Sequence, residues 1–86
     1  MSEKTVRDLA NDALGFTKRG LEMIVETYDM QAAALSMPLN RDFEQIVHEI
    51  ARKQKLAVEL IQNAMTIEKG LMQRQAEAIQ KLIGKL

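Results

Sequence analysis

Ser36-Met37-Pro38-Leu39-Asn40 contains the only proline in a chain of 86 residues. Inside a helix, a proline removes one backbone hydrogen bond and clashes with the preceding turn, at a cost of about 3 kcal/mol. The segments on both sides of this pentapeptide carry apolar residues at a helical period. The sequence therefore predicts an all-α fold, an antiparallel helical hairpin whose turn, at about residues 36–40, is built on Ser36, Pro38 and Asn40.

The first predicted helix covers about residues 3–36, with Ser2 or Thr5 as its N-cap. Along it, apolar or small residues alternate at spacings of three and four, the heptad pattern of coiled coils. This stripe consists of Val6, Leu9, Ala13, Phe16, Gly20, Met23, Thr27, Met30, Ala34 and Met37. A second stripe consists of Leu14, Leu21, Val25, Tyr28, Ala32 and Leu35. Together the stripes predict an apolar face wider than a two-helix contact requires.

Two glycines lie inside this first helix, and each costs roughly 1 kcal/mol relative to alanine. Gly15 and Gly20 have two interpretations. In the first, the helix is continuous and glycine permits close approach by another helix. In the second, the helix breaks near Gly15 and Thr17 caps a new start. The pattern favours the continuous helix, and the break stays open as an alternative.

The second predicted helix covers about residues 41–84, with Asn40 as its N-cap. Its apolar residues recur at intervals of eleven, in the sets Ile50, Ile61, Met72, Ile83 and Leu60, Leu71, Leu82. An eleven-residue period corresponds to about 3.67 residues per turn. Such a period favours nearly straight helices packed in a bundle over a left-handed two-stranded coil.

The position of the turn divides the chain unequally. With the turn centred on Pro38, residue i of the first helix lies opposite about residue 76 − i of the second. Residues 76–86 then have no partner within the hairpin, although they include several apolar side chains. We therefore expect self-association, most simply as a dimer forming a four-helix bundle, or as a larger helical oligomer, or else binding of a partner helix. The predicted interface consists of Ile50, Leu60, Ile61, Leu71, Met72, Ile79, Leu82, Ile83 and Leu86.

Composition and motifs argue against catalysis, metal or cofactor sites, and charged partners for this chain. Twelve basic and twelve acidic residues cancel, which disfavours nucleic acids and anionic membranes as partners. The absence of cysteine excludes disulfides and thiolate-based zinc sites. The only histidine, His48, has Gln45 three residues before it, so the Glu-x-x-His motif of di-iron bundles is missing. Since phosphate-binding loops and catalytic triads are also missing, we expect no enzymatic activity and no catalytic, cofactor or metal site.

The location in the cell is predicted from what the sequence lacks. Residues 1–5 are polar, without the apolar core of a signal peptide. The longest stretch without charge, Met30–Asn40, is far shorter than the ~20 residues that span a bilayer. We expect a cytoplasmic protein without a membrane span, and export by a route that needs no N-terminal signal stays open.

Three resemblances concern the general form of the chain. In size and in its proline-containing turn, the hairpin resembles needle subunits of bacterial type III secretion systems, although residues 36–40 lack their Pro-x-x-Pro pattern. The second helix, rich in leucine and alanine, resembles granule-coating phasins. Small RNA-binding hairpin dimers of the Rop kind are similar in architecture. One polar face would correspond to theirs, with Arg41, Gln45, His48, Arg52, Lys55, Gln62 and Lys69.

The leading functional hypothesis is a non-enzymatic interaction protein that assembles through its apolar faces. A subunit of a secretion needle or filament is the first alternative, because contacts that do not close generate polymers. A small RNA- or DNA-binding hairpin dimer is the second. No aromatic residue interleaves with the basic ones on the polar face, and Glu59 interrupts it, so a solvated face is the favoured interpretation there.

Overall fold

The computed structural model describes residues 4–86 as two long helices that pack against each other as an antiparallel hairpin. Helix α1 is Val6–Ala34 and helix α2 is Arg41–Ile83. The predicted all-α hairpin is thereby confirmed. Helix α1 begins about three residues later than the sequence pattern predicts, and residue 3 itself lies outside the described residues.

Side-chain caps fix where the helices begin. The hydroxyl of Thr5 accepts a hydrogen bond from the N–H of Asp8 (3.1 Å), and the Asp8 carboxylate accepts one from the N–H of Thr5 (3.2 Å). Asn40 caps α2, since its Oδ1 accepts from the N–H groups of Asp42 (3.0 Å) and Phe43 (3.2 Å). Thr5 and Asn40 were both predicted as caps, whereas Ser2 lies outside the described residues.

Helix α1 is continuous through both of its glycines, so the break near Gly15 is wrong. The two glycines differ in their surroundings. A Cβ atom placed at Gly20 would lie 2.7 Å from Cγ1 of Ile61 and 3.2 Å from the carbonyl oxygen of Ala57. At Gly15 the same atom would meet nothing within 4 Å. Close approach of α2 therefore explains glycine at position 20 and not at position 15.

The helices meet along a seam of small residues. The buried members on α1 all belong to the predicted heptad stripe, and they are Ala13, Gly20, Met23, Thr27 and Ala34. On α2 the buried residues are Ile50, Ala57 and Ala64. Thr27 is tolerated there because its hydroxyl donates to the carbonyl of Ile24 at 2.8 Å. Alanine supplies four of the six fully buried apolar residues. The larger seam side chains, such as Phe16, Phe43 and Leu60, are only half-buried.

The seam side of α2 also follows a spacing of three and four. Its buried and half-buried positions at this spacing are Phe43, Ile46, Ile50, Lys53, Ala57, Leu60, Ala64, Ile67 and Leu71, and Ile61 next to Leu60 is half-buried as well. The eleven-residue period is therefore wrong as a description of the contact face. Along Ile50, Ile61, Met72 and Ile83, side chains pass from buried to exposed. Lys53 obscures the heptad because it places a charge at a seam position.

The register differs by about three residues from the one predicted. Gly20 lies between Ala57 and Ile61, and the ammonium of Lys53 pairs with Glu26 at 3.5 Å. These contacts place residue i of α1 level with about residue 79 − i of α2. The shift arises because the N–H groups of Ser36 and Met37 still donate to carbonyls of α1 (3.2 and 3.1 Å). The chain thus keeps winding along α1 and reverses at about residues 39–40 instead of at Pro38.

Candidate interaction surface

One side of the hairpin carries the ion pairs found within residues 4–86. Lys53 lies 3.5 Å from Glu26 and 3.9 Å from Glu49, which links the two helices. Arg19 lies 3.7 Å from Glu22 on the same side. Nearer the start of α1, the Asp12 carboxylate accepts a 2.7 Å hydrogen bond from the Lys4 ammonium and raises the pKa of Lys4. Exposed pairs of this kind contribute only about 0–1 kcal/mol each, so this charged side is a solvated surface.

The opposite side of α1 is apolar and exposed. Each of its residues follows a seam position by one, which turns the side chain away from α2 toward one flank. The outer stripe of α1 consists of Ala10, Leu14, Thr17, Leu21, Ile24, Tyr28, Gln31 and Leu35. Leu14, Tyr28 and Leu35 are exposed to 67%, 71% and 89%. Large apolar side chains are thus presented along most of the helix.

A matching outer stripe runs along α2 and continues beyond the end of α1. Its apolar members are Val47, Ala51, Val58, Ile61, Met65, Met72, Ile79, Leu82 and Leu86. Three polar residues interrupt it, Gln54, Glu68 and Gln75. From Met72 onward every residue of α2 is exposed, because α1 no longer covers it. The stripe is therefore longer than the hairpin seam.

The two outer stripes form one continuous apolar face. In an antiparallel pair, positions that follow the seam by one on each helix turn toward the same side, because the chains run in opposite directions. Near the turn, a groove of about 420 Å³ joins the two stripes, since Gln31 and Leu35 of α1 line it together with Val47, Ala51 and Gln54 of α2. The hairpin is thus amphipathic as a whole, with a charged side and an apolar face.

The hairpin on its own is elongated and only one layer thick. The Cα atoms extend over 70 × 28 × 13 Å, which is one helix thick. The radius of gyration is 19.8 Å, whereas about 12 Å is typical of a compact domain of this length. The accessible surface is 7257 Å², whereas about 5,100 Å² is expected for a compact monomer of this mass. The excess of roughly 2,000 Å² has the size of an obligate interface.

The structure divides the nine predicted interface residues into three groups. Ile50 is buried in the seam, and Leu60 and Leu71 are half-buried along its α2 side. Ile83 is exposed outside both stripes. The residues on the apolar face are Ile61, Met72, Ile79, Leu82 and Leu86.

Several members of the face were missed from the sequence. Ile24, Val47, Val58 and Met65 are exposed apolar residues of the outer stripes. The signal that identifies most of the α2 stripe is a seven-residue spacing offset by one from the seam, through positions 51, 58, 65, 72, 79 and 86. The eleven-residue sets hid this spacing because they cross from the seam to the outer stripe.

His48 is exposed on α2. Within residues 4–86, no cluster of three or more histidine, aspartate or glutamate side chains is placed to hold a metal ion. Neither helix contains, in this part of the chain, an apolar stretch long enough to cross a membrane.

No family model, curated protein or solved structure matches this chain significantly. The fold and the apolar face are therefore the basis for inferring a function.

Proposed function

We propose that this chain is a non-enzymatic assembly protein that self-associates through its apolar face. The partner that covers this face is a second copy of the same chain. The observation that supports this most directly is the continuous apolar face on one side of a hairpin that is a single helix thick. Helices of globular proteins bury such faces against another layer. Two hairpins stacked face to face would form a four-helix bundle.

Energetics favour self-association over a stable lone hairpin. The seam buries mainly alanine and glycine, whose side chains contribute little to the hydrophobic effect. The larger seam side chains, such as Leu60, Ile67 and Leu71, are only half-buried, and the apolar face holds further leucine, isoleucine and methionine side chains that are exposed. Covering that face would remove from water the surface that a chain of 86 residues needs in order to be stable.

The charge distribution favours a second copy over a partner of opposite charge. The polar members of the face are mostly uncharged, as with Thr17, Gln31, Gln54 and Gln75, and Glu68 is its one charged residue. Two such faces can meet without strong repulsion. The chain also has no net charge, so two copies approach without a long-range barrier.

Light scattering on the purified protein tests this proposal. We expect a particle of twice 9.7 kDa at micromolar concentration. A stable, folded monomer would contradict the proposal. A mass that keeps rising with concentration would indicate a filament, the alternative in which contacts do not close.

A matched pair of variants tests which surface is used. Leu21→Gln places an amide on the apolar face at a leucine that is 53% exposed in the hairpin. Two copies each lose about 1–1.5 kcal/mol of burial, so the dissociation constant should rise roughly 30- to 150-fold. Glu22→Gln, one residue along on the charged side, should leave it nearly unchanged. Equal effects from both variants would show that the apolar face is not the interface.

A further inference from the structure

We propose that the two copies associate with their turns at the same end, so that α1 of each copy lies on α2 of the other. In this arrangement the C-terminal segments, residues 76–86 of both copies, meet beyond the start of α1. The inference rests on the proposed self-association and specifies its geometry. It follows from the register of the hairpin and from the unequal lengths of the two outer stripes.

The register makes the two outer stripes complementary when the turns coincide. Since residue i of α1 is level with about residue 79 − i of α2, Leu21 is level with Val58 and Leu14 with Met65. A two-fold axis parallel to the helices keeps these levels. Leu21 of one copy then faces Val58 of the other, and bulky Tyr28 faces small Ala51. The whole outer stripe of α1 is covered in this way.

The opposite arrangement leaves apolar surface bare. With turns at opposite ends, α1 lies on α1 of the second copy and α2 on α2. Centring the contact on the α1 stripe, near residue 24, places the centre of the α2 contact near residue 55. Residues from about 69 onward would then extend past the second copy, with Met72, Ile79, Leu82 and Leu86 exposed. Shifting the centre to cover them would uncover the α1 stripe instead.

When the turns lie at the same end, the C-terminal segments of the two copies can pack against each other. Helix α2 continues to Ile83, and its overhang has Ala78, Ile79, Leu82 and Leu86 on the side toward the two-fold axis. Within residues 4–86, no helix of either copy separates the two segments beyond the start of α1. They can therefore approach as a pair of parallel helices at the usual packing distance of about 8–10 Å.

Distances between spin labels distinguish the arrangements, and the chain has no cysteine to interfere. Single-cysteine variants Lys85→Cys and Ser36→Cys carry the label at the C-terminal segment and at the turn, and both positions are exposed. We expect pairs of labels at position 85 to lie roughly 10–25 Å apart, as neighbouring or diagonal helices of a bundle do. The labels at position 36 should give a similarly short distance.

Two other results would overturn the inference. Labels at position 85 that are more than 70 Å apart, the length of one hairpin, would indicate turns at opposite ends. A short distance that appears only when chains labelled at 36 are mixed with chains labelled at 85 would indicate head-to-tail assembly. Light scattering on the same labelled samples separates the two proposals. A monomer refutes self-association itself, whereas a dimer with long distances refutes only its geometry.

Discussion

Gly20→Ala tests the closest contact between the two helices. The added methyl group would lie 2.7 Å from Cγ1 of Ile61 and 3.2 Å from the carbonyl oxygen of Ala57. Carbon atoms in favourable contact are about 3.5–4.0 Å apart. The Ile61 side chain is half-buried and can rotate away. The Ala57 carbonyl belongs to the backbone, so relieving that contact requires α2 to move away from α1.

The expected effect is a balance of two opposing contributions. Alanine is favoured over glycine inside a helix by about 1 kcal/mol. Overpacking a contact such as this one costs about 1–3 kcal/mol. Gly20→Ala should therefore lower the free energy of unfolding by about 1 kcal/mol, because the overpacking cost is the larger. Gly15→Ala adds the same methyl group where nothing lies within 4 Å, and should raise the free energy by about 1 kcal/mol.

Urea denaturation followed by far-UV circular dichroism measures the difference between these variants. All samples need the same protein concentration, because the proposed self-association would add a concentration-dependent contribution to stability. Adding Ile61→Ala to Gly20→Ala removes the shorter contact and should recover part of the loss, measured against Ile61→Ala alone. If Gly20→Ala stabilises the protein as much as Gly15→Ala does, the close approach of the helices is refuted.

Two further substitutions address the cap and the charged seam position. Asn40→Ala leaves the N–H groups of Asp42 and Phe43 without their side-chain acceptor, so denaturation should show that the free energy of unfolding falls by about 1 kcal/mol. A decrease below about 0.3 kcal/mol, roughly the noise of such a series, would contradict this. Lys53→Leu replaces the half-buried lysine with an apolar side chain and removes two ion pairs worth about 0–1 kcal/mol each. Because an apolar residue at a seam position contributes about 1.5–3 kcal/mol when buried, a net gain of about 1 kcal/mol is expected. A clear loss of stability in this variant would show that the ion pairs outweigh burial.

The helices were predictable because local chemistry determines them. Pro38 ends the helical pattern, and Asn40 and Thr5 supply the side-chain acceptors that begin α2 and α1. The heptad stripe of α1 contains no charged residue from Val6 to Met37, so its contact face can be read directly from the sequence. These features depend on residues within a few positions of each other.

The register and the α2 seam were not predictable, because both depend on contacts between distant residues. Lys53 is charged, and only its placement between Glu26 and Glu49 shows how it fits at a seam position. The winding of residues 35–37 beyond α1 moves the reversal past Pro38, and a proline signal alone does not contain that information. On α1 the predicted second stripe matches the apolar face at Leu14, Leu21, Tyr28 and Leu35, but it contains Val25 and Ala32 where the face has Ile24 and Gln31. On α2 the face was recognised only in part, since the eleven-residue sets mix seam and outer positions.

Small and large apolar residues have different roles in this hairpin: the small ones allow close helix packing, and many of the large ones lie on the exposed apolar face. Alanine and glycine in the seam allow α1 and α2 to approach closely, which fixes the register and hence the level of each outer residue. The large side chains on the apolar face are exposed, so burying them would add most of the further hydrophobic stabilisation that this chain can gain. If the alanine positions of the seam carried large apolar residues as well, the lone hairpin would be more stable and would depend less on a second copy. Under the proposed self-association, folding and assembly would depend on each other, which is the behaviour expected of an obligate oligomer.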